Sequence, residues 1–171
     1  MFEIFIFEKH VDLFSKLKYN IVHKNLFRVL NSFLYDSCKY LLIYQDNHFV
    51  EYAPIFVVYH NGDGNIICMC ELFYNPSTNL LEIYNICVHP SERRKNYCKI
   101  LLNYIIEEIQ PVLKCNLWIA VSSTNPMYSI ATEIYQKAGF TDDVKRNAIT
   151  PSQIVYENGF LEMYKYYKNV I

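Results

Sequence analysis

With 171 residues the chain is longer than a peptide scaffold and shorter than two ordinary catalytic domains, so one domain spanning residues 1–171 is the expectation. Hydrophobic residues make up 52% and charged residues 19%, which excludes disorder as the main state. Sixteen basic against seventeen acidic residues give a net charge of -1, so no global positive field is available to draw in nucleic acid or an anionic membrane, and neither is an expected partner.

Residues 1–9 carry a carboxylate inside a short apolar stretch and lack a leading basic run, unlike a secretory signal. No stretch reaches the roughly 18 apolar residues of a membrane span. A cytoplasmic location is expected, with the nucleus open. The six cysteines, Cys38, Cys68, Cys70, Cys87, Cys98 and Cys115, are then expected to be reduced, most of them as small core residues.

In chain order, residues 2–7 alternate as an edge strand does. Leu13, Leu17, Ile21, Leu26, Val29, Leu30 and Phe33 stand at helical spacing and predict two helices between residue 11 and about residue 33. Residues 40–50 suit a buried strand or a helix end equally. Residues 54–59 and 66–74 are rich in β-branched and aromatic side chains, and Asn61-Gly62-Asp63-Gly64-Asn65 between them supplies the residues a tight turn needs. A second turn at 75–79 leads into a strand at 80–88, completing a three-strand meander.

After Pro90 the pattern becomes helical, with Tyr97, Ile100, Leu101, Tyr104 and Ile105 on one face and Pro111 at or just past the end. Residues 117–121 read as a strand, parallel to the one before the helix. A further helix is expected from about 126 to 138, closed by Gly139 in the left-handed region. A polar loop and a last alternating segment at 160–166 complete the chain.

The window from Leu81 to Leu102 is a strand, a short polar turn and a helix start. Unpaired N–H groups at such a helix start, the helix dipole, and Arg93, Arg94 and Lys95 together suit a diphosphate. The same three cations also suit an ordinary solvated turn.

This window resembles motif A of the GNAT superfamily of N-acetyltransferases, a strand ending in Val-x-Pro followed by Arg/Gln-x-x-Gly-x-Gly/Ala at a helix start, with Val88, Pro90 and Arg93 in register. Residues 117–121 followed by Ala131-Thr-Glu-Ile-Tyr-Gln-Lys-Ala-Gly-Phe140 resemble motif B. Two departures stand out: Asn96 replaces a glycine, and Cys98 replaces glycine or alanine. Asn tolerates the left-handed region, whereas the Cys98 side chain must turn away from a phosphate.

The resemblance implies an α/β fold of mixed α+β character: a single domain whose central mixed sheet of six to seven strands splays between two parallel strands, flanked by about four helices. It implies acetyl-CoA as cosubstrate, with no metal. The pantetheine arm would pair with Ile86, Cys87 and Val88, and the diphosphate would lie against Arg93, Arg94, Lys95, Asn96, Tyr97 and Cys98. A bulge in the first parallel strand commonly frees an N–H for the thioester carbonyl in this superfamily. Glu82 matches the catalytic glutamate of histone-type members and would act as base, with Glu71 as a weaker substitute. Tyr135 matches the tyrosine that protonates the departing thiolate.

Strand alternation alone predicts Glu82, Tyr84, Ile86 and Val88 on one face and Cys87 on the other. Cys87 has no evident His partner and is not expected to be a nucleophile. Cys68 and Cys70 lack a second ligand pair for zinc, so packing explains them better. His10, His23, His48, His60 and His89 enter no mechanism, and Asn125 receives no role. The expected activity is acetyl transfer to an amine by direct attack in a ternary complex. A GNAT-fold module binding CoA or a protein partner without turnover is the alternative, motivated by Asn96 and Cys98. A longer acyl chain, the identity of the acceptor, and a monomer or homodimer all stay open.

Overall fold

The computed structural model describes residues 1–38, 53–142 and 160–167. Its strands are β1 (Phe2–Ile6), β2 (Asn20–Ile21), β3 (Ile55–His60), β4 (Ile66–Asn75), β5 (Leu80–Val88), β6 (Asn116–Ser122) and β7 (Phe160–Lys165). They form one mixed seven-stranded sheet in the order β2-β1-β3-β4-β5-β6-β7. β1 to β2 and β5 to β6 run parallel, and the other neighbours are antiparallel.

Turn chemistry builds the meander. Asn61 Oδ1 accepts the N–H groups of Asp63 (3.0 Å) and Asn65 (2.9 Å), and Gly64 takes φ +80. At the next turn Asn75 Oδ1 accepts the Ser77 N–H at 3.1 Å, and Asn79 adopts φ 49. These local polar bonds fix the two turns that set the register of the hairpins.

Helix α1 (Lys24–Cys38) covers one face of the sheet, laying Phe27, Leu30 and Leu34 on Phe56, Val58 and Met69. Helix α2 (Tyr97–Tyr104) covers the other, where Leu101 and Leu102 pack on Val57, Leu81 and Ile83. Each fully buried leucine contributes about 2 kcal/mol. α2 does not stop at Pro111 as its sequence suggests. It passes through a π turn (Ile105–Ile109) into α3 (Gln110–Leu113), which carries Pro111 in its first turn, and ends at Lys114 with φ 51. The wider π turn lets the chain accept a ring that lacks an N–H and would crowd an α-helical carbonyl four residues back. The buried Gln110 amide then donates to the carbonyls of Cys115 (3.0 Å) and Lys165 (3.3 Å), tying the helix end to β7.

The first of the two helices expected between residues 11 and 33 does not form. After a 3-10 turn at Glu8–His10 the chain continues in tight turns: Val11 bonds back to Glu8, Ser15 to Asp12 and Leu17 to Phe14, each three residues away. Seven residues are too few for a self-sustaining helix, and here one fully buried anchor, Phe14, fixes the segment instead. The second expected helix is α1, and it runs on past Phe33 to Cys38. The ambiguous stretch at 40–50 and most of the polar loop after Phe140 lie outside the described residues.

Helix α4 (Tyr128–Lys137) starts where Asn125 Oδ1 accepts the Met127 N–H at 2.9 Å, which gives Asn125 a turn-forming role. It closes at Gly139, φ +89, where a Cβ would collide with the Lys165 ammonium. No helix among the described residues is long and apolar enough to cross a membrane.

Candidate active site

β5 and β6 are hydrogen-bonded only along Leu80–Ile83 and Asn116–Ile119. Beyond that point β5 continues with β4, while β6 continues with β7, Ala120 facing Glu162 and Ser122 facing Phe160. A gap therefore opens between Tyr84 on β5 and Ala120 on β6. Its cause lies one residue further along. Glu71 pairs with Tyr84, but Met69 pairs with Cys87, so β5 holds one residue more than β4. Asn85 absorbs the excess with φ 49, the left-handed conformation of a β-bulge that bends its strand.

The bulge reverses the faces predicted by alternation. Ile86 and Val88 pack in the cluster of Leu81 and Ile83, under α2 and α4. Tyr84 packs with Leu80 and Trp118, and its ring meets Phe73 edge-on at 5.2 Å on the other face. Cys87 joins Met69 and Phe56 beneath α1, on the face that carries Glu82. Glu82 and Tyr84 therefore do not share a face with Ile86 and Val88, because the extra residue shifts the phase of the strand by one. Cys87 is disulfide-bonded rather than reduced as expected, which removes the thiolate that a nucleophile requires. Cys68, Cys70, Cys98 and Cys115 are free.

Past Val88 the chain makes a 3-10 turn at Pro90–Glu92 and enters α2 through two left-handed residues, Arg94 (φ 64) and Asn96 (φ 65). Asn96 thus does what the missing glycine would do. Left-handed residues beside a helix start make a concavity of main-chain N–H groups. Ile100 is the residue whose N–H bonds to Asn96 O (3.0 Å), so the N–H groups of Tyr97, Cys98 and Lys99 have no intrahelical acceptor. The Tyr97 ring lies 5.6 Å from that of Tyr59 on β3, away from the β5–β6 gap, and Cys98 turns into the core, where burial pushes its thiol up to about 11. Both side chains leave the concavity to the backbone, which fits an anionic group there.

The three cations expected to line this turn have separate roles. Arg93 reaches back across the sheet, donating to Ser37 O of α1 at 2.8 Å and to Val88 O at 3.4 Å. Lys95 pairs with Glu92 at 2.9 Å. Among the described residues Arg94 is the one of the three whose side chain makes no hydrogen bond or ion pair. The sequence could not signal the Arg93 contact, because its acceptor is a carbonyl 56 residues away.

Two buried carboxylates flank the bulge. Glu82 is 1% exposed, stands in register with Trp118 and accepts the Tyr84 hydroxyl at 2.8 Å. Glu71, fully buried between Phe56 on β3 and Tyr84 on β5, accepts the Asn85 amide at 2.5 Å through Oε2, while Oε1 has no partner among the described residues. Burial lifts the Glu71 carboxyl to about 7, with the Asn85 bond pulling the other way. Sequence reasoning ranked Glu71 low and missed Asn85. The available signal was a lone carboxylate within the apolar run of β4.

Because the folded Glu71 holds its proton to a higher pH than the unfolded chain does, the contribution of this carboxyl to stability is greatest below about pH 4.5 and is lost as the pH rises through about 7. The loss from this group is on the order of 3 kcal/mol. Glu71→Gln is therefore expected to flatten denaturant-derived stability between pH 5 and 8. A wild-type curve already flat across that range would contradict it.

Tyr135 of α4 projects into the cluster of Leu81, Ile83 and Ile119, with its ring 6.3 Å from Phe140. Burial raises its pKa, so the phenol keeps its proton at neutral pH. Tyr135 and Glu82 thus stand on opposite faces of the sheet, one on each side of the strand that borders the gap.

The fold is shared with solved acetyltransferases. Tetrahymena GCN5 superposes with a TM-score of 0.64 at 15% identity, covering 100% of this chain and 98% of that one. The spermidine N-acetyltransferase of Vibrio cholerae in complex with CoA and spermine gives 0.60 at 16% identity, covering 85% and 92%. A Bacillus subtilis acetyltransferase in complex with CoA gives 0.57 at 19%, covering 96% and 97%. No curated protein matches the sequence. The family model described as acetyltransferase (GNAT) domain matches residues 51–142, a span that holds the meander, the bulge, the turn into α2, and α4. With over half of the chain matched and a sheet that parts at a bulge next to a helix start, this protein belongs to the GNAT acetyltransferases.

Proposed function

We propose that the protein transfers an acetyl group from acetyl-CoA to the nitrogen of an amine, by direct attack in a ternary complex. The observation that carries this reading is the parting of β5 from β6 at the Asn85 bulge, with a buried carboxylate on one face and a buried tyrosine on the other. Acetyl-CoA, when bound, supplies an acyl group activated as a thioester.

The N–H groups of Tyr97, Cys98 and Lys99 and the Arg94 guanidinium hold the diphosphate. The main chain of Ile86, Cys87 and Val88 has no ladder to β6 and pairs with the pantetheine arm as an added strand would. The bulge directs a main-chain N–H toward the thioester oxygen, where negative charge develops. An amine with a pKa of about 10 arrives protonated. Glu82 takes that proton, directly or through water, and Tyr135 gives one to the departing sulfur. Arg93 acts at a distance, holding the turn against α1, and Lys95 adds little charge because Glu92 offsets it.

Solved relatives of the fold carry names that refer to a histone acetyltransferase and to spermidine acetylation, and an amine is the acceptor type common to both. The test is thiol release from acetyl-CoA with a panel of peptides, polyamines and small amines, alongside calorimetric CoA binding. Transfer to at least one amine is expected, and Tyr135→Phe should lower kcat about tenfold. Coenzyme binding without transfer to any amine would favour a binding module. Absence of both would remove the reading.

A further inference from the structure

The geometry points to Glu71 as a positioning residue of the transfer site: by accepting the Asn85 amide, its buried carboxylate fixes the bulge in β5 beside the gap, where β5 has parted from β6. The inference rests on the function proposed above. Asn85 sits at φ 49, a conformation that any residue other than Gly holds at a cost and that the neighbouring structure must enforce. The enforcing contact spans two strands. Glu71 lies in register with Tyr84, one residue before the bulge, and its Oε2 meets Asn85 Nδ2 at 2.5 Å. The Asn85 side chain is thereby anchored to β4, where the ladder is regular.

Nothing in the packing of the sheet calls for a carboxylate at this position. Phe56 faces Glu71 on β3, Met69 and Phe73 flank it along β4, and an apolar side chain would fill the same space without desolvating an acid. The position instead holds an acid, with one oxygen committed to the bulge and the other without a partner among the described residues, on the face that carries Glu82 and Tyr84. A buried polar group that disagrees with its local surroundings is expected where function needs it.

Three variants test this. Glu71→Met removes the acceptor oxygen and is expected to lower kcat by ten- to a hundredfold, the size of a misplaced oxyanion donor, with KM for acetyl-CoA within about threefold and the melting temperature at pH 8 unchanged or higher. Glu71→Gln keeps an acceptor for Asn85 and is expected to stay within about threefold of wild type. Adding Asn85→Gly to Glu71→Met supplies a residue that takes positive φ freely and should recover most of the lost rate. Wild-type rates in Glu71→Met, or a Glu71→Gln variant as slow as Glu71→Met, would overturn the inference.

If Glu71→Met does not fold, the comparison of Asn85→Gly with Asn85→Ala decides. Near-wild-type rates in the first and a tenfold loss in the second support it, and equal rates overturn it. Backbone amide shifts of Asn85 and Ile86 give a readout independent of turnover. They should move in Glu71→Met and return in Glu71→Gln, and shifts that stay fixed in both overturn the clamp. Silence of the wild-type protein toward every amine refutes the proposed function alone.

Discussion

Replacing Glu82 by Gln is expected to reduce kcat by two to three orders of magnitude, the range of a lost general base, while KM for acetyl-CoA changes little. Gln keeps the shape of the side chain and an oxygen for the Tyr84 hydroxyl, so the bond at 2.8 Å and the packing beside Trp118 survive. What disappears is the capacity to take the ammonium proton. Raising the pH should recover part of the rate, since an amine with a pKa of about 10 deprotonates unaided as the solution approaches that value. Initial rates from pH 7 to 10, with circular dichroism as a control for folding, provide the check. A kcat within threefold of wild type at pH 7 would mean that Glu82 does not carry the proton. The contrast with Glu71 is sharp, because Gln is tolerated at a clamp and not at a base.

The largest loss of stability is expected from Trp118→Ala, about 3–5 kcal/mol. For a domain of this size that lowers the melting temperature by about 10 °C. Trp118 has no exposed surface, lies 5.4 Å from the Tyr84 ring and pairs across the ladders with Glu82 on β5 and Tyr164 on β7. It occupies the last stretch over which β5 and β6 are still joined, so removing it opens a cavity where the sheet has the fewest other bonds. Trp118→Phe should lose less than half as much. Thermal unfolding followed by far-ultraviolet dichroism measures both, and a loss below about 1 kcal/mol for Trp118→Ala would show that the indole is not packed as described.

Features governed by nearby residues were legible in the sequence. The turn at 61–65 follows from Asn61 and Gly64, the end of α4 from Gly139, and the left-handed entry to α2 from Asn96 standing where the family pattern has glycine. The parallel pairing of β5 with β6 followed from a helix lying between them. The resemblance brought a bulge in this strand into view, but its position at Asn85 was not legible in the sequence. Its register exists only against β4. The face assigned to Cys87 failed for that reason. Arg93 illustrates the same limit, since its partner on α1 is a main-chain carbonyl and any residue type at position 37 would supply one.

The first five strands and the last two are joined by four ladder positions at one end of their shared border. Such a sheet resembles two boards hinged at one edge. Beyond Ile83 and Ile119 each board is held by its own ladder, β5 to β4 and β6 to β7, so a change of twist at that point would leave both ladders intact. On the function proposed above, room for a bulkier acyl group would then be set by the angle between the boards as well as by the walls of the opening.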